Sequence, residues 1–167
     1  MVLDNGQMDL HVGQRDLILA FDPGRDKTGF ALVNLDGELI FSGMFPSIER
    51  EKFFDALLNS ESIDEFIIER TGEKISAFIE RVKFIAIGNG TSSKEFYEAA
   101  KILKFEIKIT DERNTTLEAR NLYWKIYKPG FFLRFLPKGL RVPPRVLDDL
   151  AAWAIARREL GVIKHGH

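Results

Sequence analysis

The chain has 167 residues, with 24 basic against 25 acidic side chains and no cysteine. A length of this order suits one domain that removes about 70% of its unfolded surface from water, and the near cancellation of charge leaves any polyanionic partner to be argued from local clustering. Without cysteine there is no disulfide framework, thiolate metal site or thiol nucleophile, a composition that suits a reducing cytoplasm. No apolar run approaches the roughly 20 residues of a membrane span. Residues 1–16 are polar and lack the apolar core of a signal peptide, so they read as a poorly ordered lead-in to a single domain over 17–167.

The first element is an unbroken apolar run, Leu17 to Phe21, that ends at Asp22 and turns through Pro23 and Gly24. Such a run predicts a strand buried on both faces in the middle of a sheet. Asp22 then lies at the sheet rim, where open α/β folds place their ligands. The plainer reading, that Asp22 only starts a turn with Pro23 and Gly24, stands beside it. Phe30 to Leu35 and Glu38 to Phe45 predict two further strands joined by the tight turn Asp36-Gly37. Pro46 ends the third strand, and Ser47 is placed to cap a helix reaching about Asn59. Ile63 to Arg81 reads as a second helical piece broken at Gly72, with a strand and turn over Glu65 to Glu69 as the alternative.

Lys83 to Gly88 predicts another buried strand, followed by Asn89-Gly90-Thr91 and a helix opening at Ser92, where Glu95 completes capping-box spacing. Phe105 to Thr110 alternates apolar and polar residues, as a strand near a sheet edge does. Thr115 and Glu118 repeat the capping-box spacing at the start of a helix to about Ile126, and a last helix spans about Arg145 to Leu160. These elements make an α/β fold: a mixed five-stranded sheet, with a three-strand antiparallel meander and two parallel strands, flanked by helices.

In that topology the ends of the Leu17, Lys83 and Phe105 strands share one rim, which gathers Asp22, Asn89 and Glu112. In the last helix Leu147, Leu150, Ala151, Ala154 and Ile155 share a buried face; Asp148 lies at its border and Asp149 well outside it, as a solvated residue favoured by the helix dipole. Asp148 is therefore the better third carboxylate. Three converging carboxylates without histidine or cysteine ligands favour a hard cation, magnesium or manganese. Two such ions about 3.5–4 Å apart serve phosphodiester hydrolysis. Asp22 would then bridge them between Glu112 and Asp148, and these three are the expected metal-binding and catalytic residues.

The blocks Asp22-Pro23-Gly24 with Thr28-Gly29, Ile87-Gly88-Asn89-Gly90-Thr91, Asp111-Glu112-Arg113-Asn114-Thr115-Thr116-Leu117-Glu118-Ala119-Arg120, and Asp148 before Ala151-Ala152 resemble the YqgF/RuvX family. These are RuvC-like members of the RNase H-like superfamily. The opening block also resembles RuvC resolvases, and the Ile87 to Thr91 piece the RNase H-like domain of Tex transcription factors. The resemblance spans about residues 17–160. It implies an RNase H-like fold and a metal-dependent nuclease of Holliday junctions or ribosomal RNA precursors, with Asp22, Glu112 and Asp148 as its acidic residues. RuvC has a glutamate where this chain has Asn89 and an aspartate where it has Ala151, and Asn59 to Arg81 has no clear counterpart in compact family members. A second reading therefore stays open: an RNase H-like module that binds nucleic acid without cutting it.

The partner signal is local. Arg120, Lys125, Lys128, Arg134, Lys138, Arg141 and Arg145 follow one another without an intervening acid, interleaved with Tyr123, Trp124, Tyr127, Phe131, Phe132 and Phe135. With Lys27 and Arg113 they form the expected nucleic-acid-binding set, cations meeting phosphates and aromatic rings stacking on unpaired bases. The bland alternative is a packed aromatic core under a solvated basic face. Pro129-Gly130 and Pro137-Lys138-Gly139 make the middle of this stretch a loop. A sugar-kinase or actin-like nucleotide site shares the Asp-x-Gly turn, but needs a second, duplicated half for which 167 residues leave no room. His11, His165 and His167 have no partner at ligand spacing and receive no role. The chain would act as a monomer or homodimer.

Overall fold

The computed structural model describes residues 14–73 and 77–161. The three histidines and most of the lead-in lie outside them. Six strands, β1 (Leu17–Pro23), β2 (Lys27–Asn34), β3 (Leu39–Pro46), β4 (Glu69–Gly72), β5 (Val82–Gly88) and β6 (Ile107–Thr110), form one sheet in the order β4-β3-β2-β1-β5-β6. β1 to β4 pair antiparallel, while β5 runs parallel to both β1 and β6. The helices are α1 (Arg50–Leu58), α2 (Ser93–Ala100), α3 (Thr115–Ile126) and α4 (Asp148–Glu159). Among the described residues no helix is long and apolar enough to cross a membrane.

The sheet has one strand more than the sequence predicts. The expected helical piece over Ile63 to Arg81 is replaced by β4 between two short 3₁₀ turns, Asp64–Phe66 and Ile79–Arg81; residues 74–76 of that piece lie outside the described residues. The strand-and-turn alternative had the right kind of structure but the wrong bounds. Glu69-Arg70-Thr71-Gly72 has no apolar stripe for a helix to bury, and Gly72 takes a φ of +88°, which ends the pairing. β4 instead docks its backbone on the outer edge of β3, Gly43 opposite Arg70.

Strand periodicity sorts β1 onto two faces. Leu17, Leu19 and Phe21 join the core under α1 and α2, while Ile18 and Ala20 join the core under α3 and α4. The first core is aromatic: Phe45 stacks on Phe53 at 4.0 Å between centroids, and Phe21 and Phe30 meet Phe53 edge-on or tilted. The second is built from alanine, with Ala20, Ala31 and Ala86 facing Ala151, Ala152, Ala154 and Ala156. By the same alternation Asp22 belongs to the alanine face, toward α4.

Candidate active site

Asp22, next to last in β1, stands opposite Gly29 of β2. A Cβ at Gly29 would stand 1.9 Å from the Asp148 carbonyl oxygen, so only glycine lets the first residue of α4 lie against this strand pair. The turn after Asp22 is braced by Ser47, which serves here rather than as a helix cap: its Oγ donates to the Gly24 carbonyl at 2.8 Å and meets Thr28 Oγ1 at 2.9 Å.

Glu112 comes from the loop after β6. A Cβ at Gly88 would fall 2.6 Å from its Oε2, and one at Gly90 2.4 Å from its Oε1, so the two glycines form a cradle for this carboxylate. The Glu112 backbone N–H donates to Asn89 Oδ1 at 3.1 Å, and the Asn89 N–H to the Thr110 carbonyl at 3.0 Å. Asn89 thus positions the Glu112 loop. Glu112 Oε2 is buried without a hydrogen-bond partner.

Glu112 and Asp148 both act electrostatically on Asp22. Burial first, then the charges of Glu112 and Asp148 and a hydrogen bond with Glu112, push the Asp22 carboxyl up to about 7. Asp148 is also raised, by burial and then by Asp149, with Lys27 opposing. A cavity of about 240 Å³ opens beside Asp22 and Asp148, with Arg120 and Ala151 in its wall. Among the described residues no three histidine, cysteine, aspartate or glutamate side chains stand together as a ready-made ion cage. The donor chemistry still fits a hard divalent cation: every donor is a carboxylate oxygen, one is an orphaned buried acceptor, and the Asp22 carboxyl is raised by burial first and then by neighbours of its own sign.

The fold has a counterpart among solved structures. RuvC from Thermus thermophilus superposes with a TM-score of 0.50 at 12% identity, covering 87% of this chain and 96% of RuvC. The fold is RNase H-like. RuvC of the same organism in complex with a Holliday junction substrate gives a TM-score of 0.47 at 13% identity, with the same coverage of 87% and 96%. No protein-family model and no curated protein sequence matches the chain.

Within this RNase H-like frame the structure overturns the reading of Asp149. The helix geometry that puts Asp149 outside the apolar face is right, but the residue is not solvated: it is fully buried. Its carboxylate accepts from Ser42 Oγ at 2.8 Å and from Arg145 at 2.8 and 3.2 Å, and Arg145 also donates to Thr71 Oγ1 at 3.0 Å. A polar core thus bolts the N-terminus of α4 to β3 and β4 and fixes Asp148 beside it. The i, i+4 spacing of Arg145 and Asp149 was the signal available in the sequence. At the other end of the helix, Arg158 donates to the carbonyls of Asp111 and Arg113 and to Glu118 Oε1, and Thr110 Oγ1 donates to Glu159 at 2.7 Å. Glu118 therefore answers Arg158 rather than completing a capping box.

The expected nucleic-acid-binding residues divide. Arg120, Lys125, Lys138 and Arg141 line one cleft along α3, and Lys128 is exposed just beyond that helix. Lys27 is exposed at the start of β2, close enough to influence Asp148. Arg145 is committed to Asp149, Arg113 to Asp111 at 2.7 Å, and Arg134 Nε to the Pro129 carbonyl at 3.3 Å.

Proposed function

We propose that the chain is a divalent-metal-dependent nuclease of the YqgF/RuvX type, hydrolysing phosphodiester bonds in structured nucleic acid such as a Holliday junction or a ribosomal RNA precursor. The observation that supports this reading is the Asp22 carboxyl, pushed up to about 7 by burial first and then by the charges of Glu112 and Asp148 nearby. Asp22 would be the shared ligand, with Glu112 and Asp148 holding on either side. When bound, a pair of magnesium or manganese ions supplies the Lewis acidity that phosphodiester hydrolysis needs at the attacking and leaving oxygens. The raised Asp22 carboxyl holds its proton to higher pH than an ordinary aspartate, and losing that proton would ready it as a ligand. Arg120, in the wall of the cavity that holds Asp22 and Asp148, is placed to receive a phosphate. Asn89 and Gly90 keep Glu112 in register.

A second reading, a nucleic-acid-binding module without catalysis, is favoured by the two departures from RuvC: the Asn89 side chain accepts from the Glu112 backbone, and Ala151 adds no carboxylate to the cavity wall. The test is cleavage of labelled four-way DNA junctions, single-stranded RNA and a structured ribosomal precursor, with magnesium or manganese and with EDTA. Metal-dependent cutting that the Asp22→Asn variant loses by at least a hundredfold, roughly the scale of removing one catalytic group, supports the nuclease. Binding without cutting in any metal supports the module, and equal cutting by variant and wild type removes Asp22 from the mechanism.

A further inference from the structure

Between Glu118 and Asp148 the chain has no acidic residue, and both ends of this stretch line the cavity of Asp22 and Asp148. α3 and the segment that follows it enclose a cleft of about 530 Å³, walled by Trp124 and by the cations Arg120, Lys125, Lys138 and Arg141. That is nucleotide-sized space on the usual scale of roughly 300–1,000 Å³ for a small-ligand site. Arg120 also lines the cavity of Asp22 and Asp148, so the two spaces share a wall.

Beyond the cleft three phenylalanines stand in water: Phe131, Phe132 and Phe135 are 69, 84 and 76% exposed. They contact one another edge to face, Phe131 to Phe132 at 5.7 Å and Phe131 to Phe135 at 5.4 Å. Other groups brace the segment. Arg141 donates to the Leu136 and Arg134 carbonyls at 3.0 and 2.9 Å, and Trp124 Nε1 donates to the Arg141 carbonyl at 3.2 Å. Three rings left in water on a braced segment mark a contact surface. Four cations in the adjoining cleft, none of them ion-paired among the described residues, make its partner a polyanion, and bases are the polyanion components that stack on aromatic faces.

Resting on the nuclease reading, we propose that the strand entering the carboxylate site is unpaired: one base lies against Trp124 in the cleft, Arg120 holds the phosphate between cleft and site, and Phe131, Phe132 and Phe135 stack on the bases beyond. The substrate class is nucleic acid with an unpaired stretch beside the scissile bond rather than continuous duplex.

The test is binding in EDTA, which needs no cleavage, using a fluorescein-labelled 20-nucleotide single strand and its blunt duplex, each as DNA and as RNA. The wild type should bind the single strand at least tenfold more tightly than the duplex. The triple variant Phe131→Ala, Phe132→Ala, Phe135→Ala, checked for folding by circular dichroism, should bind it about 5- to 100-fold more weakly. Of the two tryptophans Trp153 is buried and donates to the Gly37 carbonyl, so quenching of tryptophan fluorescence by the single strand should disappear in Trp124→Phe. Equal affinity for strand and duplex, or undiminished binding by the triple variant, overturns the proposal. So does a triple variant that keeps its single-strand affinity but loses a self-associated form in sedimentation, which would make the rings a protein interface. Single-strand binding together with an absence of cleavage in manganese would remove the nuclease reading, and the scissile bond with it, while the unpaired-strand contact to Trp124 and the three phenylalanines stands.

Discussion

The two faces of the sheet solve different problems. Under α1 and α2 the strands present phenylalanines, and the rings of Phe21, Phe30, Phe45, Phe53, Phe54 and Phe96 interlock in edge-on, tilted and stacked pairs. Large rings bury the most area and hold the helices off the sheet. Under α3 and α4 the strands present Ile18, Ala20, Ala31 and Ala86, and α4 answers with alanines. Small side chains let a helix backbone come down onto the strands, and that close approach puts Asp148 against Gly29, beside Asp22. The aromatic face supplies stability; the alanine face gives some of it up to hold like-charged carboxylates together. The local rule of burying charge only with a partner is broken on the face that carries the site.

The largest effect expected from that division belongs to Phe53→Ala. Phe53 is fully buried and touches the rings of Phe21, Phe30, Phe45, Phe54 and Phe66. Its removal leaves a cavity among rigid neighbours and should cost about 3–5 kcal/mol, read as a lower denaturant midpoint with an unchanged slope. A cost below about 1 kcal/mol, far under that range, would mean that the aromatic face is not where the stability lies.

Asp22→Asn should move stability the other way. A carboxyl raised from 3.8 to about 7 binds its proton more tightly in the folded state, so the wild type loses stability as pH rises between those values and stays at the lower level above them. The interval corresponds to at most roughly 4 kcal/mol, at about 1.36 kcal/mol per pH unit. Without metal, the variant should therefore melt higher than the wild type at pH 8, and the gap should close as pH falls toward 4. Millimolar manganese at pH 8 should raise the melting temperature of the wild type and leave the variant almost unmoved. A variant that melts lower than the wild type at pH 8 would show that Asp22 is not held under repulsion.

The meander was legible in the sequence because it rests on strong local signals, unbroken apolar runs and the Asp36-Gly37 turn, whereas the gathering of phenylalanines on one face of the sheet was not. Asp22, Glu112 and Asp148 stand as candidates because each falls at or near the end or the beginning of such an element. β4 was not legible, since Glu69-Arg70-Thr71-Gly72 becomes a strand only by docking on the β3 edge. Asp149 misled for a related reason. A helical wheel tells which residues leave the apolar stripe, but not that Ser42, Thr71 and Arg145 build a polar lining there from distant strands and a loop. Arg158 escaped notice because a basic residue in the last turn of a helix is already explained by the dipole, and its real partners are carbonyls of the Glu112 loop.

The finest test of the contrast is Gly88→Ala, a single methyl group on the alanine face. Its Cβ would meet Glu112 Oε2 at 2.6 Å and Ile155 Cδ1 at 2.8 Å, both of them ends of flexible side chains rather than backbone. The fold can yield there, so the stability cost should be only about 1 kcal/mol, at the low end for overpacking. Glu112 must yield as well, and it moves out of the cradle that faces Asp22. With that neighbouring charge and hydrogen bond weakened, the Asp22 carboxyl should titrate closer to its ordinary value, followed by carboxyl carbon NMR. The manganese-induced rise in melting temperature should shrink, because one of the three carboxylates no longer converges. A methyl group under the phenylalanines would report on packing alone. Here it should separate packing from charge: a variant with nearly native stability, a lowered Asp22 titration and a weakened metal response. If the metal response is unchanged, Glu112 is not a ligand and the convergence at this rim serves only to position the loop.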